Sequence, residues 1–395
     1  RHTYLGGMDR QAVEYNQQAA AHAARSFQPE VSLLYLRLAL EALGRLTPPD
    51  PQTELKLRLE VAVQQAHVGP AEAAEQLLEE IRKSEPLWSA ASPVDRALFG
   101  VYRARVLADQ GRWDEAEKSL QEMPANLRGL DRGDIPRLAY RLQGEIQYYR
   151  GNYAEALESH DAALAVALEE GEPREIASQQ IRRATVLSMI PGREPDALNE
   201  YRTAIDRLMD LGDLTEAALG NLCLGVELSA LGRHDEARTA LRQCVDLSET
   251  ANDLRRAGWA HLNLADLEFG LARTEEAAHE VRQAKGLFEQ VEDPLGTARA
   301  SLTEGRVALA RGELDGAARA FGVAGEIFAG RHLLADQMEV ELRTAELEIA
   351  RHSTGPARER LERLVRDGLV RLRPDLVDEA RNLGGRLQPA VVGFG

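Results

Sequence analysis

A six-residue turn pattern recurs along this chain at an almost constant interval. It reads Gly-x-x-x-(Glu/Asp)-Ala, and the final alanine marks each copy. The central anchors are Ala116, Ala156, Ala197, Ala237, Ala277 and Ala317, separated by 40, 41, 40, 40 and 40 residues. Weaker copies have anchors at Ala74 and Ala357, and a further turn is found at Gly7–Ala12. A chain with such a period is built from units that each pack only on their neighbours.

Two further positions keep the same register and predict how each unit packs. A small residue stands twelve positions before each anchor, and a bulky one stands four positions after it. The small positions are Ala62, Ala104, Gly144, Thr185, Gly225, Ala265, Gly305 and Ala345. The bulky positions are Leu78, Leu120, His160, Tyr201, Leu241, Val281, Phe321 and Leu361. Small residues across a glycine turn let two antiparallel helices approach closely, so each unit is predicted to be a helix pair.

Composition agrees with helices, because aromatic residues make up only 5% of the chain and Ala, Leu, Glu and Arg dominate. The predicted fold class is all-α, a right-handed α-α superhelical solenoid of antiparallel helix pairs. We expect an N-terminal helical cap or linker of two helices over 1–50, and a solenoid of about eight pairs over 51–370. A capping helix and flexible tail are expected over 371–395, and longer loops at Ser84–Pro93 and Pro124–Pro136.

These small and bulky offsets resemble the consensus of the tetratricopeptide family. The usual period of that family is about 34 residues. The 40-residue unit therefore predicts helices longer by most of a turn each. HEAT-type repeats share the longer period but lack the Gly-to-Ala turn, and they are the second alternative.

The start of the chain resembles the junction at which tetratricopeptide arrays follow the ATPase and winged-helix parts of large bacterial signalling ATPases, including the maltose-regulon activator type. His2, Gly6 and Gly7 form the His-x-x-x-Gly-Gly element of that junction, and an Ala-rich helix follows. The first residue is Arg1 and not Met, so we expect a segment of a longer protein. The resemblance implies a sensor arm that holds an upstream ATPase domain inactive until an inducer or a protein binds.

Several kinds of chemistry are excluded or disfavoured by the sequence. The net charge of −16 argues against direct nucleic-acid binding, and no apolar run approaches the ~20 residues of a membrane span. No Gly-Lys pair occurs, so there is no P-loop, and the nine histidines are scattered without ligand spacing. We therefore predict no catalytic residues, no cofactor and no metal. His160 and Cys244 are interpreted as packed side chains, and a cysteine count of two indicates a reducing compartment, the cytoplasm.

Candidate binding residues lie on the first helix of each pair, because in the tetratricopeptide family that helix lines the concave surface. Counting back from the anchors of the first half selects Tyr102, Arg105, Arg141, Glu145, Tyr148, Arg182 and Arg183. The second half contributes Trp259, Asn263, Asp266, Phe269, Arg299, Thr303 and Arg306. Aromatic rings among polar groups suit a specific pocket. The Lys and Asn set with which co-chaperone members clamp a C-terminal carboxylate is not kept.

Three interpretations of function remain at this point. The first is a regulatory, non-catalytic arm of a larger bacterial signalling or transcription-regulatory ATPase. The second is a stand-alone adaptor that binds a peptide or protein in its groove. The third is a solenoid that binds a small-molecule inducer.

Overall fold

The computed structural model describes residues 8–25, 28–48, 50–68, 71–123, 134–331, 333–366 and 374–387. Within these ranges every regular element is an α-helix, which confirms the all-α prediction. The His2–Gly7 junction, residues 124–133 of the predicted Pro124–Pro136 loop and the predicted tail after residue 387 lie outside them. The chain forms two compact units, Arg1–Gly220 and Asn221–Gly395.

The first unit contains eleven of the described helices and the beginning of a twelfth. They are α1 Asp9–Arg25, α2 Pro29–Leu43, α3 Pro51–Val68, α4 Ala71–Lys83, α5 Glu85–Ala90, α6 Pro93–Asp109, α7 Trp113–Gln121, α8 Asp134–Tyr149, α9 Tyr153–Glu170, α10 Pro173–Leu187, α11 Glu194–Asp210 and α12 Leu214–Ala230. The division at Gly220 falls inside α12.

The second unit continues the same alternation of first and second helices. Its helices after α12 are α13 His234–Thr250, α14 Leu254–Gly270, α15 Thr274–Gln290, α16 Pro294–Ala310, α17 Leu314–Gly330, α18 Leu334–Ala350, α19 Thr354–Arg366 and α20 Pro374–Arg386. From α13 to α18 every helix has 17 residues and every turn has three, which accounts for the 40-residue period.

The turn between the two helices of a pair has a left-handed residue at its centre. Gly232 and Gly312 have φ of 74° and 77°, and Ala272 takes the same position with φ of 59°. In the Ala272 turn, the Arg273 amide donates to the Glu268 carbonyl and the Ala272 amide donates to the Phe269 carbonyl. This pairing satisfies the last carbonyls of α14 as in a Schellman motif, and glycine suits it because it lacks Cβ.

The small and bulky positions of each pair meet in the core as predicted. A Cβ added at Gly144 would lie 2.6 Å from the His160 ring, and one added at Gly225 would lie 2.6 Å from Leu241 Cγ. The same pairing brings Gly305 against the Phe321 ring and lets the Tyr201 hydroxyl donate to Thr185 Oγ1 at 2.9 Å. Close approach of the helices therefore depends on these paired sizes.

The ends of the array carry additional helices. The helices α1 and α2 precede the repeats, and α20 follows them within the described residues. One expectation was wrong, because a short helix, α5, occupies most of the stretch Ser84–Pro93 where a loop was predicted. Leu87 of α5 is buried and the Trp88 ring packs edge-on against Phe99 at 5.1 Å. These apolar contacts favour helix over loop.

Candidate functional site

Three arginines from three first helices surround one carboxylate in the first unit. Glu145 of α8 lies 3.4 Å from Arg105 of α6, 3.6 Å from Arg141 one turn earlier, and 3.9 Å from Arg182 of α10. The distances join guanidinium nitrogens to carboxylate oxygens. We call these four residues the arginine cluster, and the surface formed by successive first helices the first-helix face.

The arginine cluster has more positive than negative charge in a poorly solvated position. Burial opposes ionisation of Glu145, but Arg141, Arg105 and Arg182 outweigh it and lower the pKa of its carboxyl. Burial, together with Arg182, lowers the pKa of Arg141 to about 10, which still leaves its guanidinium charged at neutral pH. Arg141 Nε is buried and has no hydrogen-bond partner within the described residues. An added acceptor would relieve that unsatisfied donor.

Polar partners on its own helix and on the next first helix hold Arg182 in place. Its Nη1 donates to Ser178 Oγ at 2.7 Å, and the Ser178 hydroxyl in turn donates to Glu216 of α12 at 3.0 Å. Glu216 Oε2 lies 3.7 Å from Arg182 Nη1. These contacts restrict the rotamers of the Arg182 side chain.

The other candidates of the first unit have different surroundings. Tyr102 packs partly buried on the hydrophobic core around α3, α4 and α6. The Tyr148 ring lies against Tyr149 and Tyr153, with centroids 5.5 and 5.8 Å away. The prediction for Arg183 was wrong. It contacts Asp161 of α9 and Glu200 of α11, which are second helices, because one residue step turns the side chain by about 100°.

A smaller polar group forms on the first-helix face of the second unit. Arg306 Nη1 donates to Asp266 Oδ1 at 2.9 Å, and the guanidinium lies 4.9 Å from the centroid of the Phe269 ring. Thr303 donates weakly to the same carboxylate at 3.4 Å. Partial burial raises the pKa of Asp266, and Arg306 and Thr303 oppose the shift. The charge of Arg306 is therefore largely compensated within the unit.

The remaining candidates of the second unit are also engaged within it. Arg299 contacts Asp336 and lies 3.7 Å from Glu339, both on α18. The Trp259 ring meets Phe288 edge-on at 5.3 Å, and Asn263 Nδ2 donates to the Trp259 carbonyl at 2.8 Å. These contacts explain the local packing, and the ligand-binding role of these residues stays a prediction.

Some carboxylates that pair with the first-helix arginines were not among the predicted site residues. Glu216, Asp336 and Glu339 are such partners. The sequence contains a signal that could have found these partners, because the charged groups that pair lie about one repeat apart in the chain. Arg105 and Glu145, Asp266 and Arg306, and Arg299 and Glu339 are each separated by 40 residues.

Histidine, cysteine and carboxylate side chains are spread over the described ranges. No group of three His, Cys, Asp or Glu side chains there is placed to hold a metal ion. Cys244 is buried, and burial raises the pKa of its thiol to about 12. Cys223 is half-buried, and neither cysteine is in a disulfide. None of the described helices is both long and apolar enough to cross a bilayer.

Comparisons with known proteins find likeness in fold and not in sequence. No family model matches the chain, and no curated protein is similar to it in sequence. The quorum sensor NprR from B. thuringiensis, in its apo form, matches with a TM-score of 0.58 and 15% identity over 96% of this chain and 98% of its own. A Rap protein complexed with Competence and Sporulation Factor matches with a TM-score of 0.55 and 15% identity over 85% and 98%.

A third solved structure is a signal transduction ATPase with numerous domains and a tetratricopeptide repeat sensor, from Pyrococcus horikoshii. It matches with a TM-score of 0.55 and 12% identity over 89% of this chain but only 55% of its own. At these identities the likeness concerns the fold. The chain therefore has the tetratricopeptide-type repeat fold, the first of the two alternatives.

Proposed function

We propose that this chain is a non-catalytic interaction and sensing scaffold whose first-helix face binds a peptide or protein segment through a carboxylate. The observation that carries the proposal is the arginine cluster, where three guanidinium groups share Glu145. The fold supports it, since a Rap protein of the same fold is complexed with Competence and Sporulation Factor and NprR is a quorum sensor.

A ligand carboxylate suits the arginine cluster for two physical reasons. Arginine presents several N–H donors in a planar fork that matches a carboxylate, so charge-assisted pairs are possible. Arg141 Nε is a buried donor that makes no hydrogen bond, since Glu145 Oε1 lies 3.6 Å from it, and leaving such a donor unpaired costs about 1–3 kcal/mol. A side-chain or C-terminal carboxylate of a peptide supplies both the charge and the acceptor.

We further propose that this scaffold is the regulatory arm of a larger bacterial signalling ATPase in the cytoplasm. The tetratricopeptide sensor of the Pyrococcus horikoshii ATPase supports this assignment, together with the junction-like sequence at His2–Gly7. Binding at the first-helix face would then change the activity of an upstream ATPase domain. A stand-alone adaptor and a small-molecule inducer site are the competing outcomes.

The carboxylate site can be tested by affinity selection from a mixture of random peptides, half with free and half with amidated C-termini. We expect the protein to retain peptides that are rich in Asp and Glu or that keep the free carboxylate. Arg141→Gln and Arg182→Gln should each weaken the affinity for a retained peptide about tenfold, because a buried charge pair is broken. Arg193→Gln is the matched control, since Arg193 is an arginine of the same unit that pairs with Asp196 on α11.

Unchanged affinity in both cluster variants, with the fold intact by circular dichroism, would place the binding site elsewhere. Charge reversal of Arg299 and Arg306 measures the contribution of the second unit in the same assay. An ATPase reading frame joined upstream would support the regulatory arm, whereas an isolated reading frame would favour the adaptor.

A further inference from the structure

A groove on the opposite side of the second unit is formed by three helices in sequence. Its walls are the second helices α15 and α17, and its floor is the back of α16. Lining positions recur at i, i+3, i+4 and i+7: 278, 281, 282 and 285 on α15, 304, 307 and 308 on α16 with its C-cap residue 311, and 316, 319, 320 and 323 on α17. Each stripe covers about 10 Å of helix. We call this cleft of about 340 Å³ the second-helix groove.

The apolar part of the lining of the second-helix groove, on all three helices, is made of small side chains. Ala278, Val281, Val307, Ala308 and Ala320 line it and are themselves buried. Val323 remains 41% exposed at one edge. Gly316 leaves additional room, because a Cβ added there would meet Ala308 and Glu313 no closer than 3.7 Å. A concave apolar strip of this kind can receive the apolar stripe of a helix.

Cations dominate the rim of the groove. Arg282, Lys285, Arg311 and Arg319 line it together with two carboxylates, Glu304 and Glu313. Lys285 pairs with Glu304 at 2.8 Å, and Arg311 pairs with Glu275 at 3.0 Å and with Glu313 at 3.3 Å.

The two remaining rim cations lie on the two walls of the groove. Arg282 on α15 and Arg319 on α17 are exposed, and neither has an ion pair or hydrogen bond to any other described residue. The groove thus has an apolar floor between two uncompensated positive charges.

We propose that the second-helix groove docks an acidic amphipathic helix of a partner protein. Small apolar side chains of that helix would lie on Val281, Val307 and Ala320, and its flanking carboxylates would pair with Arg282 and Arg319. The chain's net charge of −16 does not prevent this pairing, since exposed charges beyond about 8 Å are largely screened at physiological salt. The site is separate from the arginine cluster and does not depend on it.

The test is a selection from a phage-displayed library of helix-forming peptides, each roughly 16 residues or about four turns long. Selection on the wild-type protein is followed by counter-selection on a Gly316→Leu variant. The leucine side chain would enter the groove from a position where Cβ fits, and leucine also favours helix over glycine. We expect enriched peptides to have Asp or Glu on both sides of a small apolar stripe.

Single charge-reversal variants then test whether the enriched peptides bind in the second-helix groove. Arg282→Glu and Arg319→Glu should each lower the affinity for an enriched peptide about tenfold. Higher salt should lower the affinity of the wild-type protein for the same peptide. The matched control is Arg242→Glu, because Arg242 is an exposed arginine without a described partner, one repeat before Arg282. The affinity of the Arg242→Glu variant for an enriched peptide should stay within about twofold of the wild-type value. Arg141→Gln should also leave this affinity unchanged.

Three results would overturn the proposal. One is the absence of peptides that distinguish wild type from Gly316→Leu, and another is enrichment of peptides without carboxylates. The third is self-association of the wild-type protein in sedimentation that is lost in Gly316→Leu, because the occupant would then be a second copy of this chain.

Discussion

His160 occupies the bulky position that Tyr201 and Leu241 take in the following repeats. Its side chain is 2% exposed and its ring contacts Gly144. Burial, reinforced by Arg182 and Arg141 and opposed by Glu145, lowers the pKa of the imidazole to about 4. The histidine is therefore a neutral packing group at physiological pH, in agreement with its interpretation as a packed side chain.

A pH dependence of stability follows from that lowered pKa. The unfolded imidazole has a pKa near 6.5, so between about pH 6.5 and 4 the unfolded state binds more protons at this site. The contribution of His160 is intact above pH 6.5 and is lost as the pH falls through that window. Between pH 7 and 5 the wild type should lose about 2 kcal/mol more unfolding free energy than His160→Leu, measured by urea denaturation. Parallel losses in the two proteins would contradict the neutral buried histidine.

At the scale of elements, the helix pair depends on complementary sizes at its crossing. Gly305 of α16 lets the Phe321 ring of α17 approach the α16 backbone, and a Cβ there would overlap the ring. Gly322, in the middle of α17, has nothing within 4 Å of an added Cβ. The two glycines therefore have opposite expected responses to the same substitution.

Alanine at these two positions provides a matched test. Gly305→Ala should destabilise the protein by about 1–3 kcal/mol, because the core must shift to accept the methyl group. Gly322→Ala should stabilise it by up to about 1 kcal/mol, because alanine favours an exposed helix over glycine. Thermal unfolding of both variants measures the difference. Equal effects would show that the crossing of α16 and α17 tolerates side chains at position 305.

Charged pairs between successive first helices are a second feature at the element scale. The sequence predicted which side of the helices carries Arg105, Glu145 and Arg306, because a period of 40 repeats the same helical phase. It did not predict that Glu216 and Glu339 complete the network. Whether two charges one repeat apart meet depends on the spacing and rotation of adjacent helices, which side-chain packing decides.

At the scale of the whole molecule, an array of repeats needs its last apolar face covered. Leu376 and Val377 of α20 lie in one hydrophobic cluster with Leu342 of α18 and Leu361 of α19. All four side chains are buried. Among the described helices, α20 therefore covers apolar side chains of α18 and α19 in the second unit.

Removal of residues 374–395 should expose that face. We expect faster hydrogen exchange in α18 and α19 and increased binding of a hydrophobic dye, while α14 and α15 keep their protection because stabilisation passes mainly between neighbours. A deletion of 388–395 alone keeps α20 and is the control. Uniform loss of protection through the second unit would mean that it unfolds as a single cooperative block.

The sequence alone determined the repeat, its 40-residue period and the small and bulky residues that meet in each pair. These are properties of local register, since a fixed offset on a helix specifies a fixed direction. The tertiary structure decided which charges gather at one place. Arg105, Arg141 and Arg182 belong to three helices and meet at Glu145 only because of how those helices stack. It also decided that Arg183 contacts the second helices, and that small residues on α15, α16 and α17 leave a groove.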